Sequence, residues 1–159
     1  MPIVATPSTP IIVPADDVRA FMRDYPDKNI LLDDVEFSQA EVDQALRYIT
    51  SLYNVVTPIS SLTVDGWPAG TQWIQLLGIA WYLVRSASFG QVRNQLTYQA
   101  GDIAPVGIDD KFSLYQTLAQ TLKMEWDALV QEYKIQLNME ACYGSVGSGY
   151  RYTTRYNRT

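Results

Sequence analysis

From Trp73 to Val84 the chain runs WIQLLGIAWYLV, apolar except for Gln75 and one glycine. Ile74, Leu76, Leu77, Ile79, Ala80, Trp81, Leu83 and Val84 leave a helix no polar face. Such a helix must be enclosed on all sides. In a chain of 159 residues that means the centre of one domain, or a subunit interface over its outer face. The run is about half the ~20 residues needed to span a bilayer, so no membrane segment is read here. Thr71 is placed to cap this helix, and Gly90 to kink or end it. The amide-rich stretch Gln91–Gln99 reads as a less regular continuation.

The other elements are sized to wrap such a centre. Pro14 suits the first position of a helix, where its missing N–H is not needed. Asp16 and Asp17 favour the helix dipole. Val18, Phe21, Met22 and Tyr25 recur at helical spacing, so a short helix is predicted over Pro14–Asp24, stopped by Pro26. The next helix is the best marked. Ser38 is followed three residues later by Glu41, a capping box, and Phe37 can staple onto Val42. The stripe Val42, Ala45, Leu46, Ile49, Leu52, Tyr53, Val56 predicts a helix over Gln39–Val55, closed by Pro58. After a loop holding Gly101, Pro105 and Gly107, Asp109 or Asp110 caps a last helix. Its stripe Tyr115, Ala119, Leu122, Trp126, Leu129, Tyr133 steps in a heptad-like rhythm, and Leu118, Val130 and Leu137 widen it. A helix over Lys111–Glu140 is about 45 Å long at 1.5 Å per residue. That exceeds what a compact domain of this size accommodates, so its last turns project from the body. Trp73, Trp81 and Trp126 read as core.

The fold class is therefore all-α, a small bundle of about four helices with one long C-terminal helix and extended arms at both ends. Residues 1–13 form the N-terminal arm, rich in proline and β-branched residues, and have no cationic leader. Residues 14–140 form the helical domain. Residues 141–159 form a C-terminal arm of different chemistry. Tyr143–Thr159 holds four tyrosines, three arginines, three glycines and no acid, against 9 basic and 17 acidic residues before it. It has too little aliphatic surface to fold alone. Tyr and Arg, however, carry contact energy when buried on a partner. Tyr143, Tyr150, Arg151, Tyr152, Arg155, Tyr156 and Arg158 are the candidate contact residues.

Chemistry is sparse. The chain has no histidine, which removes the commonest base and metal ligand. It has no P-loop and no paired CxxC. Asp33, Asp34 and Glu36 have the residue types of a divalent-cation site or general-acid pair, but a solvated acidic turn before a helix explains them more simply. Cys142 is the one cysteine. It has no adjoining His or Lys to activate it, and no intrachain disulfide is possible. No catalytic residue, cofactor or metal is assigned, and the chain is not read as an enzyme. A net charge of −5 argues against general nucleic-acid binding.

The segments VRAFMRDYP, LLDDVEFSQAEVDQALRYITSLYN, RNQLTYQAGDIAPVG and LAQTLKMEWDALVQEYKIQLN together resemble the head-to-tail connector proteins of tailed bacteriophages, the neck or head-completion adaptors. The resemblance covers about Pro14 to Asn138 as a pattern of elements. It implies a virion protein, made in the host cytoplasm, that forms a ring of usually twelve copies under the portal protein. It implies further contact with a tail or second neck protein, a C-terminal arm on the portal, and a lumen that DNA crosses without specific binding. Asp33, Asp34 and Glu36 are then candidates for an acidic lumen lining. The alternative is a cytoplasmic helical module that binds or regulates another protein.

Overall fold

A computed structural model describes residues 12–29, 34–93 and 111–143. Among them are four α-helices and no strand: α1 (Ala15–Met22), α2 (Gln39–Val55), α3 (Gln72–Arg93) and α4 (Lys111–Tyr143). A single 3-10 turn, Val64–Gly66, lies between α2 and α3. The all-α class and the long final helix are as the sequence predicts. The N-terminal arm to residue 11, the Asp109/Asp110 cap and the segment beyond Tyr143 lie outside the described residues.

Helix α3 is the centre. It packs on α1, α2 and α4, and no residue from Ile74 to Val84 is exposed. The apolar sequence without a polar face is satisfied by helices of the same chain. The closest approach is at Gly78. A Cβ there would lie 2.7 Å from both Ile49 Cγ2 of α2 and Trp126 Nε1 of α4, so only glycine lets the three helices meet. Trp126 is fully buried and stacks on Trp81, with ring centroids 6.3 Å apart. Lys123 lies over both rings, 5.3 and 5.1 Å from their centroids, and is paired with Asp127 one turn on.

Several boundaries move. Pro14 is the N-cap of α1 rather than its first residue, and the helix ends at Met22, not Asp24. Arg23 takes a left-handed conformation (φ 59°), and the Arg23 and Asp24 N–H groups turn back onto Ala20 and Arg19 carbonyls. The chain thus stops helical growth before Pro26 is reached. Helix α2 matches its predicted range, and both halves of the capping box form: Glu41 N–H donates to Ser38 Oγ, and Ser38 N–H donates to Glu41 Oε2 at 2.8 Å. Thr71 stands at the start of α3, where its carbonyl accepts the Gln75 N–H at 3.0 Å. Its hydroxyl donates to Pro68 O at 2.7 Å. Gly90 does not end α3, which continues to Arg93. Helix α4 runs three residues past its predicted end, so Ala141, Cys142 and Tyr143 belong to the helix and not to the arm.

One tryptophan expectation fails. Trp73 is 51% exposed and meets only the edge of Phe21, at 5.6 Å between centroids. Trp67, from the loop, is fully buried, donates through Nε1 to Thr50 Oγ1 at 3.0 Å and packs on Tyr53. A loop indole with a hydroxyl partner for its N–H is buried more easily than one at a helix end facing water.

Candidate interaction surface

The chain enters the body at Val13. Its N–H donates to Gln75 Oε1 at 3.1 Å, so the single amide in the apolar run of α3 ties down the root of the N-terminal arm. Both residues are buried.

The acidic turn is organised by a residue that the sequence reading left inside a helix. Asp24 is 4% exposed. Its carboxylate accepts from Asn29 Nδ2 at 2.6 Å, from the Glu36 N–H at 2.6 Å and from the Phe37 N–H at 3.0 Å. Asp34, an exposed residue, has a backbone role too: its Oδ1 accepts from the Val35 N–H at 2.7 Å, and its carbonyl accepts from Asn29 Nδ2 at 3.0 Å. Asp33 lies outside the described residues. The Glu36 carboxylate remains free among the described residues. It makes no hydrogen bond or ion pair among the described residues. Partial desolvation, then the nearby Asp24 and Glu41 charges, push its pKa above the ordinary carboxylate value.

Glu36 stands at a cleft of about 320 Å³ between the end of α1, the turn, the middle of α3 and the first half of α4. Its walls are Phe21, Met22, Phe37, Ala80, Val84, Tyr115, Leu118 and Leu122, with Arg23, Asp24, Asn29 and Glu36 at the polar end. Phe21 and Leu118 are exposed there. Burial raises the Tyr115 pKa, and the Glu36 charge raises it further. On the other side of the α3–α4 seam is a groove of about 470 Å³ with the opposite sign of charge. Arg85 and Lys123 lie in it beside Trp81, Phe89, Phe112 and Met124.

At the far end of α2 a second buried charge appears. Lys134 of α4 is 2% exposed. Its ammonium donates to Tyr53 O at 2.5 Å, Val56 O at 2.6 Å and Pro58 O at 2.9 Å, with Ser60 Oγ at 3.2 Å sharing one of the three N–H groups, and lies 4.2 Å from the Tyr53 ring centroid. No carboxylate pairs with it among the described residues. Burial lowers its pKa, while four oxygen acceptors hold the proton in place. Asn54 secures the same loop, bonding Leu62 N–H, Leu62 O and Ser60 Oγ. The sequence carries one signal for Lys134: it falls on the buried line Trp126, Val130, Lys134, where a cation is out of place. Asp24 leaves no comparable signal.

Beyond Lys134 every residue from Ile135 to Cys142 is exposed. The end of α4 therefore leaves the body, as its length predicts. It carries exposed Ile135, Leu137 and Met139, and Leu118 and Leu137, expected to widen the packed face, are both exposed. Tyr143 is the last helical residue. Tyr150, Arg151, Tyr152, Arg155, Tyr156 and Arg158 lie outside the described residues.

Among the described residues no group of three or more acidic, His or Cys side chains is placed to hold a metal ion. No helix among them is long and apolar enough to cross a membrane. No protein-family model, no curated protein and no solved structure matches the chain.

Proposed function

We propose that this chain is a structural virion protein, an adaptor that assembles as a ring between the portal of a phage head and the tail and lines the DNA conduit. The supporting observation is the end of α4. A helix committed only to its own bundle has no reason to run about two and a half turns past its last buried residue with Ile135, Leu137 and Met139 in water. A helix that presents an arm to a neighbour does. The Tyr/Arg segment follows directly, and its chemistry is that of a contact arm. The bundle behind it is closed by its own residues, so the subunit needs no partner to bury α3. It can be monomeric until it meets the portal.

In this reading the arm grips the portal or the next subunit, and the acidic body keeps the passing duplex from sticking. The chain performs no chemistry of its own. Deleting Tyr143–Thr159 should leave helix content nearly unchanged and abolish incorporation into particles, scored by electron microscopy and by mass spectrometry of purified virions. Normal incorporation of the shortened protein would sink the reading. A titration with labelled duplex at moderate salt should show no binding. Tight, salt-sensitive binding would instead make the cationic arm a DNA contact.

A further inference from the structure

The geometry points to a receptor for the arm: the cleft at Glu36 receives Tyr150, Arg151 and Tyr152 of a second copy, with the guanidinium on the Glu36 carboxylate and a tyrosine ring among Phe21, Val84, Tyr115 and Leu118. The inference deepens the ring reading and rests on its assignment of the C-terminal segment as a contact arm.

Charge selects this site. Among the described residues, the α3–α4 groove carries Arg85 and Lys123, the latter already paired with Asp127, and a small cleft lined by Pro58, Ile59, Lys134 and Leu137 has no acidic side chain. Neither offers a carboxylate to an arginine arm. The Glu36 cleft has two carboxylates against one guanidinium. Asp24 spends its oxygens on three N–H donors, which leaves the Glu36 carboxylate crowded by like charge and unpaired among the described residues. A planar guanidinium matches such a carboxylate. The cleft's apolar walls and its volume of about 320 Å³ suit one aromatic side chain beside it. Phe21 and Leu118, exposed in the isolated chain, would be covered.

Reach selects the second copy. The nearest α4 residue of the cleft is Leu122, twenty-one residues before Tyr143, or about 32 Å back along the helix. Tyr115, which feels the Glu36 charge, is about 42 Å back. Arg151, eight residues past Tyr143, spans at most about 29 Å fully extended, before any allowance for reversing direction. The Tyr150–Tyr152 cluster therefore falls short of the Glu36 end of its own cleft, whereas a neighbour's cleft imposes no reversal.

The test uses the full-length protein and a fluorescent peptide of residues 143–159, with photoreactive benzoylphenylalanine in place of Tyr152 for cross-linking. The expected result is saturable binding, with cross-links to peptides holding Phe21, Tyr115 or Leu118. Glu36→Gln in the protein should weaken binding tenfold or more. Arg151→Gln in the peptide should do the same with the folded protein untouched, so a folding defect cannot imitate the effect. No saturable binding up to millimolar peptide, cross-links elsewhere, or equal affinity for Glu36→Gln would each overturn the inference. Neither portal nor particle is needed. A protein that enters virions without binding the peptide keeps the ring reading and loses this site, and the converse result separates them the other way.

Discussion

The two ends of α2 are held by buried charges of opposite sign, each without an ion-pair partner among the described residues. At the N-terminal end Asp24 gathers the Glu36 and Phe37 N–H groups. At the C-terminal end Lys134 gathers the Tyr53, Val56 and Pro58 carbonyls. Anion at the start and cation at the end is the arrangement that a helix dipole favours. The difference lies in where each charge comes from. Asp24 is a near neighbour in sequence, so its turn closes early and cheaply. Lys134 is supplied by α4, about eighty residues away, and ties the loop after α2 to the last helix. One end of α2 is a local motif, and the other is a long-range lock that exists only once the bundle has formed.

That contrast can be broken by mutation, and the largest effect belongs to the long-range end. Lys134→Met removes a cation that serves three carbonyls and leaves them buried without a donor, at a cost of about 3 kcal/mol. For a domain of this size that lowers Tm by about 10 °C. Thermal unfolding followed by circular dichroism checks it, and a loss below about 1 kcal/mol would mean that water replaces the ammonium. Asp24→Ala should cost less, about 2 kcal/mol, because its turn lies closer to solvent. The ends of the seventeen-residue α2 are about 25 Å apart, so the double variant should be additive within about 0.5 kcal/mol. Strong coupling would show the two ends to be one unit.

Alkali should probe the Lys134 end through Tyr53. Burial, with a smaller contribution from Tyr133, pushes Tyr53 up to about 12, against about 10 in an unfolded chain. Between those values the folded protein keeps a proton that the unfolded chain has released. This contribution is whole below pH 10 and is lost as pH rises toward 12, about 2 kcal/mol in all. Tyr53→Phe should flatten that part of the stability–pH curve, and an unchanged curve would refute the assignment. The smallest effect is expected at Glu36. Its raised pKa means that its ionised form is disfavoured in the folded chain. The stabilising contribution is present below the ordinary carboxylate value and is lost as pH rises through the raised one. Glu36→Gln should therefore be neutral or slightly stabilising at pH 7, within about 0.5 kcal/mol after solvent screening. Clear destabilisation on chemical denaturation would assign Glu36 a structural task and remove the reason for holding it free.

At the local end the helix start was legible, although Asp24 was not. Ser38, Glu41 and the apolar rhythm of Gln39–Val55 announce α2 because capping and periodicity are written in neighbouring residues. The enclosure of α3 was legible for the same reason, since its composition leaves no face for water. What escaped the sequence depends on backbone geometry or on positions far apart. Asp24 looks like a helix residue until Arg23 turns left-handed before it. Trp67 looks like loop until Thr50, seventeen residues earlier, offers its hydroxyl. Gly78 looks incidental until Ile49 and Trp126 arrive on either side. Of the acidic trio, the sequence located the turn but not the division of labour in which Asp34 shapes the backbone and Glu36 stays free. The cleft itself is assembled from α1, α3 and α4, and no local pattern encodes it.

The projecting end of α4 has a mechanical consequence. From Ile135 to Tyr143 it is a strut of nine residues, about 13 Å long. Helical backbone transmits a push or a twist along its axis, where a loop of equal length would absorb it. Whatever holds the segment after Tyr143 is kept at a set stand-off from the bundle, and a displacement there arrives undiminished at Lys134. That lysine is bonded to the loop closing α2. A load on the arm is thus delivered first to the long-range lock, and the core at Gly78 and Trp126 stays behind it.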